Sequence, residues 1–365
     1  MIRKVFNNEG FDYTTATATA IKVNKVKKLV WADNMRVVAT ISVILLHMAG
    51  SALYQFERIP AYSWWVANLY DSVVRFCVPV FVMLSGALLL PQEVTLSYFL
   101  KRRLFRIALP FIFWTCVYYL LDLHLERDML SHMTLIAKAK WTLVQLEVGT
   151  ASHLWYLYMI IGLYLFIPII GRWARNATNN EIKYFLIIWA TTLVFNLPFV
   201  SKVKFNIDSR YFTGYIGYLV LGYYLAYKNF RLNSTLLYSA LVVGSILFTA
   251  IGTYYLSLRE HVFAGSLYDY LTPNVLALSI GIFMLLKKVV ITNPFMIKII
   301  ELINRYSFGI YFIHMLFLNM FANIGLTWSF INPIIGIPVM TTLCLLASLC
   351  TIYLLEKLPY GKYII

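Results

Sequence analysis

The chain has 365 residues, of which 61% are hydrophobic and only 13% charged, and its mean hydropathy is +0.72. That composition excludes the two or three soluble domains its length would otherwise suggest and points to an integral membrane protein. The net charge of +15 does not indicate a nucleic-acid partner. Lys and Arg are concentrated in segments that alternate with apolar runs, the pattern of the positive-inside rule.

Residues 1–29 have no apolar core of the kind a signal peptide carries, so they read as a flexible basic tail that is not cleaved. Its run KVNKVKK is suited to contact with anionic lipid. Beyond it the chain repeatedly meets the requirement for a spanning helix, roughly 20 mostly apolar residues whose backbone polar groups pair internally. The candidate spans are 35–54, 72–90, 104–121, 153–170, 182–199, 211–227, 235–256, 271–287, 306–325 and 333–355. The expected architecture is therefore an all-α integral membrane protein of about ten transmembrane helices. A transmembrane domain at 30–358 would contain one longer loop, at 122–152, and a short stub would follow at 359–365. No length is left for a soluble catalytic domain. Most of the 31 Lys and Arg residues then lie on the side of the two ends, which places both termini in the cytoplasm. Cys77, Cys116, Cys344 and Cys350 all fall inside spans without CxxC spacing, so neither a disulfide nor a metal site is expected.

An ionisable side chain within a span costs about 2.5–3.5 kcal/mol on insertion scales and is by default a functional candidate. The first span begins DNMRVVATISVILLHM. Arg36 lies in its first turn, where a snorkelling side chain is the plain alternative. His47 follows eleven residues later, three helical turns plus about 20°, so the two share a face about 16 Å apart along the axis. Asp33, one turn before the arginine, can pair with it. An imidazole can accept and return a proton near neutrality, although a lone buried histidine is more often structural. In the second span, Pro79 removes one backbone hydrogen bond and predicts a kink, and Ser85 and Gly86 allow close helix approach or put a hydroxyl in a cavity. At the mouth of the third, KRRLFRIALP sets Arg102, Arg103 and Arg106 on one cationic face of a helix, suited to phosphates or to simple anchoring.

His153 opens the fourth span in SHLWYLY, where Trp155, Tyr156 and Tyr158 look like an aromatic belt at the outer membrane surface. Asp208 and Arg210 flank the entry to the sixth span and read as a solvated pair. His314, in YSFGIYFIH, lies well inside the ninth span, at a depth comparable to that of His47, so the two histidines can share a cavity. His124, His132 and His261 fall in loops and carry no strong signal.

Taken in order, WADNMRVVATISVILLH, VPVFVMLSG, RRLFR, HLWYLYMIIGLYLFIP and SFGIYFIH resemble the membrane-bound acyltransferase 3 family, the O-acetyltransferases that modify bacterial surface glycans. The resemblance runs from about Trp31 to the C-terminus. It implies a multi-pass enzyme of the bacterial cytoplasmic (inner) membrane that moves an acetyl group from cytoplasmic acetyl-CoA to a sugar hydroxyl of a lipid-linked or surface polysaccharide. By that resemblance His47 is the catalytic histidine, with Arg36 and its neighbour Asp33 beside it. Arg103 and Arg106 would match the family's paired arginines and bind the CoA phosphates, joined by Arg102 from the same cationic face, and Ser85, His153, Trp155 and His314 are substrate or cavity candidates. Many members add a hydrolase-like domain after the membrane part; this chain ends at Ile365 and looks more like the stand-alone type of the enterobacterial common antigen O-acetyltransferase.

The expected partners are acetyl-CoA, the glycan acceptor and membrane lipids, with no metal and no nucleic acid, and the sequence does not decide between a monomer and a homo-oligomer. A transporter or flippase for a glycan or lipid-linked intermediate is the alternative of another class, although no pseudo-repeat of broken helices is found. Within the family, another donor such as succinyl-CoA or an amine acceptor is a further alternative. The motif leaves open whether His47 passes on a proton or takes the acetyl group itself.

Overall fold

A computed structural model of the chain describes residues 29–148, 150–200, 214–228 and 234–365. Asp208, Arg210 and all but the last residue of the expected tail lie outside them. The described residues form fourteen α-helices and no strand. These are α1 (Val30–Leu53), α2 (Ala61–Val74), α3 (Cys77–Leu89), α4 (Leu96–Phe99), α5 (Phe105–Leu125), α6 (Arg127–Ser131), α7 (Leu135–Val148), α8 (Trp155–Asn176), α9 (Asn179–Val194), α10 (Ile216–Tyr227), α11 (Thr235–Glu260), α12 (Pro273–Lys287), α13 (Pro294–Asn323) and α14 (Pro333–Glu356).

Each expected span overlaps at least one of these helices, with 72–90 crossing from α2 into α3 and 211–227 described from residue 214. Among the described residues, length and hydropathy do not reach the expected count of about ten spans. Seven helical stretches are long and apolar enough to cross a membrane: Val30–Leu53, Ala61–Leu89, Leu96–Leu125, Trp155–Asn176, Thr235–Glu260, Gly265–Lys287 and Pro333–Glu356. Ile216–Tyr227 is apolar but shorter. The loop expected at 122–152 carries the helices α6 and α7. The ninth helix was expected to begin near Tyr306, but α13 starts at Pro294 and runs for 30 residues. Asn293 sets that start: its side chain accepts from the backbone N–H groups of Phe295 and Met296, and Pro294 supplies a preset φ at the first helical position.

The helix breaks have local causes. Pro79 lacks the N–H that would bond the carbonyl four residues earlier and its ring crowds that carbonyl, which belongs to Arg75. The chain accordingly leaves α2 at Val74 and re-enters a helix at Cys77, so Arg75 sits at the junction of two halves of one span. Pro338 similarly frees the carbonyl of Ile334, and the Tyr70 hydroxyl donates to it at 2.8 Å.

Close packing places α3 against α10. A Cβ added at Gly86 would come within 1.8 Å of the Leu219 carbonyl oxygen, and one at Gly222 within 2.0 Å of that of Met83. Each helix therefore presents a glycine to the other's backbone, the small-residue contact that lipid-embedded helices use. Of the Ser85–Gly86 pair, Gly86 makes the close approach and Ser85 stays partly exposed, donating to the Phe81 carbonyl at 3.1 Å.

Candidate active site

The face of α1 predicted from the spacing of Arg36 and His47 is the face on which the polar groups gather. Arg36 and Asp33 form an ion pair at 3.8 Å. Asn304 of α13 joins them: its Oδ1 accepts from Arg36 Nη1 at 2.7 Å and its Nδ2 donates to Asp33 Oδ1 at 2.8 Å. Asn304 was not anticipated from the sequence. A signal was available, because Asn304 precedes His314 by ten residues and Arg36 precedes His47 by eleven, so two parallel helices carry matched polar levels about 15 Å apart.

Beside this triad stands Tyr164 of α8, also unanticipated, within Coulombic reach of Arg36, Arg103 and Arg106 and in contact with Ser85. Arg36 and Arg106 are near enough to act on each other as well. The expected single α-helical face of arginines is not kept, because Leu100–Leu104 (LKRRL) is a π-helical turn between α4 and α5. Its wider turn changes the register. Arg102 hydrogen-bonds the Tyr98 hydroxyl and lies against the Tyr98 ring, whereas Arg103 reaches Gln92 Oε1 at 3.3 Å. Arg103 and Arg106 are thus the two that face the Arg36 end of the site.

At the other level three histidines from three helical regions converge. The ring of His47 is 5.3 Å from that of His314, and His314 is 5.1 Å from His153, centre to centre. Backbone carbonyls fix two of these rings. A carbonyl can only accept, so His314 Nδ1 carries the hydrogen it shares with the Tyr311 oxygen at 2.7 Å, and His153 Nε2 the one it shares with Phe312 at 3.3 Å. In the neutral tautomers so defined, His314 Nε2 and His153 Nδ1 are bare lone pairs, and both are buried without a partner. Tyr311 ties the group together, since its hydroxyl donates to the His153 carbonyl and its ring lies 5.9 Å from His314. His47 alone of the three keeps accessible surface. Among the described residues no set of three His, Cys, Asp or Glu is placed to hold a metal ion.

Trp155 and Tyr156 turn inward, not toward lipid. The Trp155 ring stacks on Tyr270 at 5.8 Å and Tyr156 lies 5.5 Å from Tyr311, while Tyr158 stays exposed. Depth places an aromatic residue at the interface, but only the neighbouring helices decide which way it faces. Asp71 and Arg75, neither of them anticipated as site residues, form a buried ion pair near His47.

Between the arginine and histidine levels runs a narrow internal cavity of about 10 Å³, lined by Thr40, Val43, Ile44, Phe81, Ile310, Tyr311 and His314. That is room for roughly one water molecule. A wider surface hollow of about 670 Å³ lies at the α8–α9 corner, among Leu96, Pro168, Arg172 and Glu181. Its lining includes none of the histidines, so the chemistry is sought in the narrow one.

Arg36, with Arg103 and Arg106 near it, and the histidine cluster thus stand at two levels of one apolar bundle. The model of the acyltransferase domain of the acyltransferase 3 family matches residues 29–355. The chain belongs to that family. No curated protein and no solved structure matches it. The protein is thus a multi-pass membrane acyltransferase, and the match covers all of α1 through all but the last residue of α14, so every site residue named above lies within the acyltransferase domain.

Proposed function

We propose that this acyltransferase takes an acetyl group from cytoplasmic acetyl-CoA and delivers it to a hydroxyl of a lipid-linked or surface glycan in the bacterial inner membrane, as the stand-alone members that modify enterobacterial common antigen do. The observation that carries the reading is the single α1 face on which Arg36, with Arg103 and Arg106 nearby, leads to His47, His314 and His153. A multiply charged donor cannot cross lipid cheaply. Its phosphates therefore stay at the arginines while the uncharged arm carries the thioester along the α1 face. With Asn304 and Asp33 fixing it, Arg36 is the arginine closest to that path. The cavity between the two levels is too narrow for the arm, so Phe81 and Tyr311 must move aside when the donor enters.

At the histidine level, His47 takes the proton from the acceptor hydroxyl as that oxygen attacks the thioester carbonyl. The carbon–sulfur bond breaks, the electron pair leaves on sulfur, and the imidazolium returns its proton to the thiolate. A route through an acetylated His47 would use the same ring. The two routes differ in one product: without acceptor, only the second leaves acetyl label on the protein.

The test is to mix acetyl-labelled acetyl-CoA with membranes containing the protein. Label should appear in lipid-linked or polymeric glycan. Glycan crossing the membrane without label would support a carrier instead, and label moving only from succinyl-CoA would change the donor. Arg103→Ala and Arg106→Ala should each raise the KM for acetyl-CoA, and unchanged values would reduce those arginines to anchors.

A further inference from the structure

We propose that Asp71, Arg75 and Gly50, together with the rings of Trp155 and Tyr270, form the subsite that holds the hydroxyl-bearing acceptor, on the side of His47 away from Arg36. The proposal rests on the acyl-transfer reading above and adds to it the place and chemistry of the second substrate.

Asp71 is fully buried at the end of α2, where an unpaired charge would be costly. Its Oδ1 is bound by Arg75 Nε one helical turn on, but its Oδ2 is buried with no hydrogen-bond partner. An ion pair serving only to hold helices together would be expected to satisfy both oxygens, because a bare buried acceptor forfeits its water without replacement. The open oxygen faces α1 at Gly50: a Cβ there would lie 3.7 Å from Oδ2. Gly50 is partly exposed and follows His47 by three residues, about 4.5 Å along the axis. The missing side chain leaves room for at least a methyl group beside the open oxygen, one turn beyond the histidine.

Arg75 is held from the other side. It lies 4.2 Å from the centre of the Tyr268 ring and bonds the Tyr268 carbonyl at 3.4 Å, while the Tyr268 hydroxyl is itself bound by Asn68. Tyr270, 5.8 Å from the guanidinium, stacks on Trp155 with the planes 24° apart, and Trp155 is two residues from His153. Gly50, Arg75, Trp155, Tyr270 and His47 all keep some accessible surface although their helices are packed together.

The chemistry selects the ligand class. Asp71 already neutralises Arg75, which removes the attraction for a free phosphate or carboxylate. What remains is an open carboxylate lone pair, which accepts an O–H, beside flat aromatic faces that suit the apolar C–H face of a ring. A neutral, polyhydroxylated ring such as a sugar fits both. One hydroxyl held at Asp71 Oδ2 leaves a neighbouring hydroxyl of the same ring toward His47.

Gly50→Ala tests this without unpairing Arg75. The new methyl makes an ordinary van der Waals contact with Asp71, covers its open oxygen, and replaces a glycine in a helix by the best helix former. With lipid-linked glycan extracted from the membranes that make the protein as acceptor, and labelled acetyl-CoA as donor, the acceptor KM of Gly50→Ala should rise about tenfold, the effect of one lost hydrogen bond to a charged group. The KM for acetyl-CoA should stay within about twofold, since the Arg36 level is about four turns, or roughly 21 Å, away. Trp155→Ala should likewise raise the acceptor KM and not the donor KM. If the unaltered protein moves label and both variants keep its acceptor KM, the subsite is overturned while the acyl-transfer reading stands. If the unaltered protein moves no label to glycan, both fall.

Discussion

The two polar levels of the site are built differently. At the Arg36 level the charged groups have partners: Asp33, Arg36 and Asn304 close a ring of contacts and Arg103 is tied to Gln92, leaving only the buried Nδ2 of Asn34 without an acceptor among them. At the His47 level partners are lacking, because His314 Nε2, His153 Nδ1 and Asp71 Oδ2 are all buried acceptors without donors. Buried polar atoms in folded proteins are nearly always paired, so a cluster of exceptions marks where a ligand's hydrogens are expected. On the proposed reading, the difference makes the first level a preorganised positive entrance and leaves the second to be completed by substrate.

The sharpest way to break this contrast is to remove His47. If it is the proton acceptor of the second level, His47→Ala should lower turnover by about a hundredfold to ten-thousandfold, the usual contribution of a general base. Binding of CoA at the first level should be unaffected, so the loss should appear in kcat and not in donor affinity. Near-normal turnover by purified His47→Ala would remove the histidine from the chemistry.

A smaller effect is expected at His314, and a pair of variants separates its two nitrogens. Asparagine can keep the hydrogen bond that Nδ1 makes to the Tyr311 carbonyl while deleting Nε2, and glutamine can keep an acceptor near the position of Nε2 while losing that bond. If the bare Nε2 beside His47 steadies the developing imidazolium, His314→Asn should lose about tenfold to a hundredfold in kcat, the cost of one hydrogen bond to a charged group, and His314→Gln less. The reverse order in single-turnover assays would make His314 a structural anchor of Tyr311.

The comparison also shows what the sequence could carry. The Arg36–His47 face was legible because it depends only on helical periodicity within one element. The break at Arg75 was legible for the same reason, since proline acts on the residue four before it. The expected second span nevertheless began at residue 72, whereas the helix pair begins at Ala61. A hydropathy sum counts Asn68, Asp71 and Ser72 as polar, yet Asn68 is buried donating to the Ala250 carbonyl and Ser72 is buried beside Tyr268. Asn304, Tyr164 and Asp71 were missed because their roles are set by partners on other helices, and the inward turn of Trp155 was missed because periodicity does not say which neighbour a face meets.

The smallest effect should come from Asn304, which tests whether the first level is preorganised. Its amide accepts from Arg36 and donates to Asp33, so Asn304→Leu removes both bonds at similar volume and leaves only the 3.8 Å ion pair to hold the guanidinium. An exposed-side pair at that distance contributes little on its own. Arg36 would then sample several positions, and the donor would bear the cost of ordering it. The KM for acetyl-CoA should rise about threefold to tenfold, as for one net hydrogen bond, with kcat nearly unchanged. Asn304→Asp should be worse than Asn304→Leu, because it sets a second carboxylate beside Asp33 where the donor's phosphates approach. If leucine and aspartate behave alike, the asparagine is packing; if aspartate alone impairs donor binding, charge at the entrance matters and the hydrogen bonds do not.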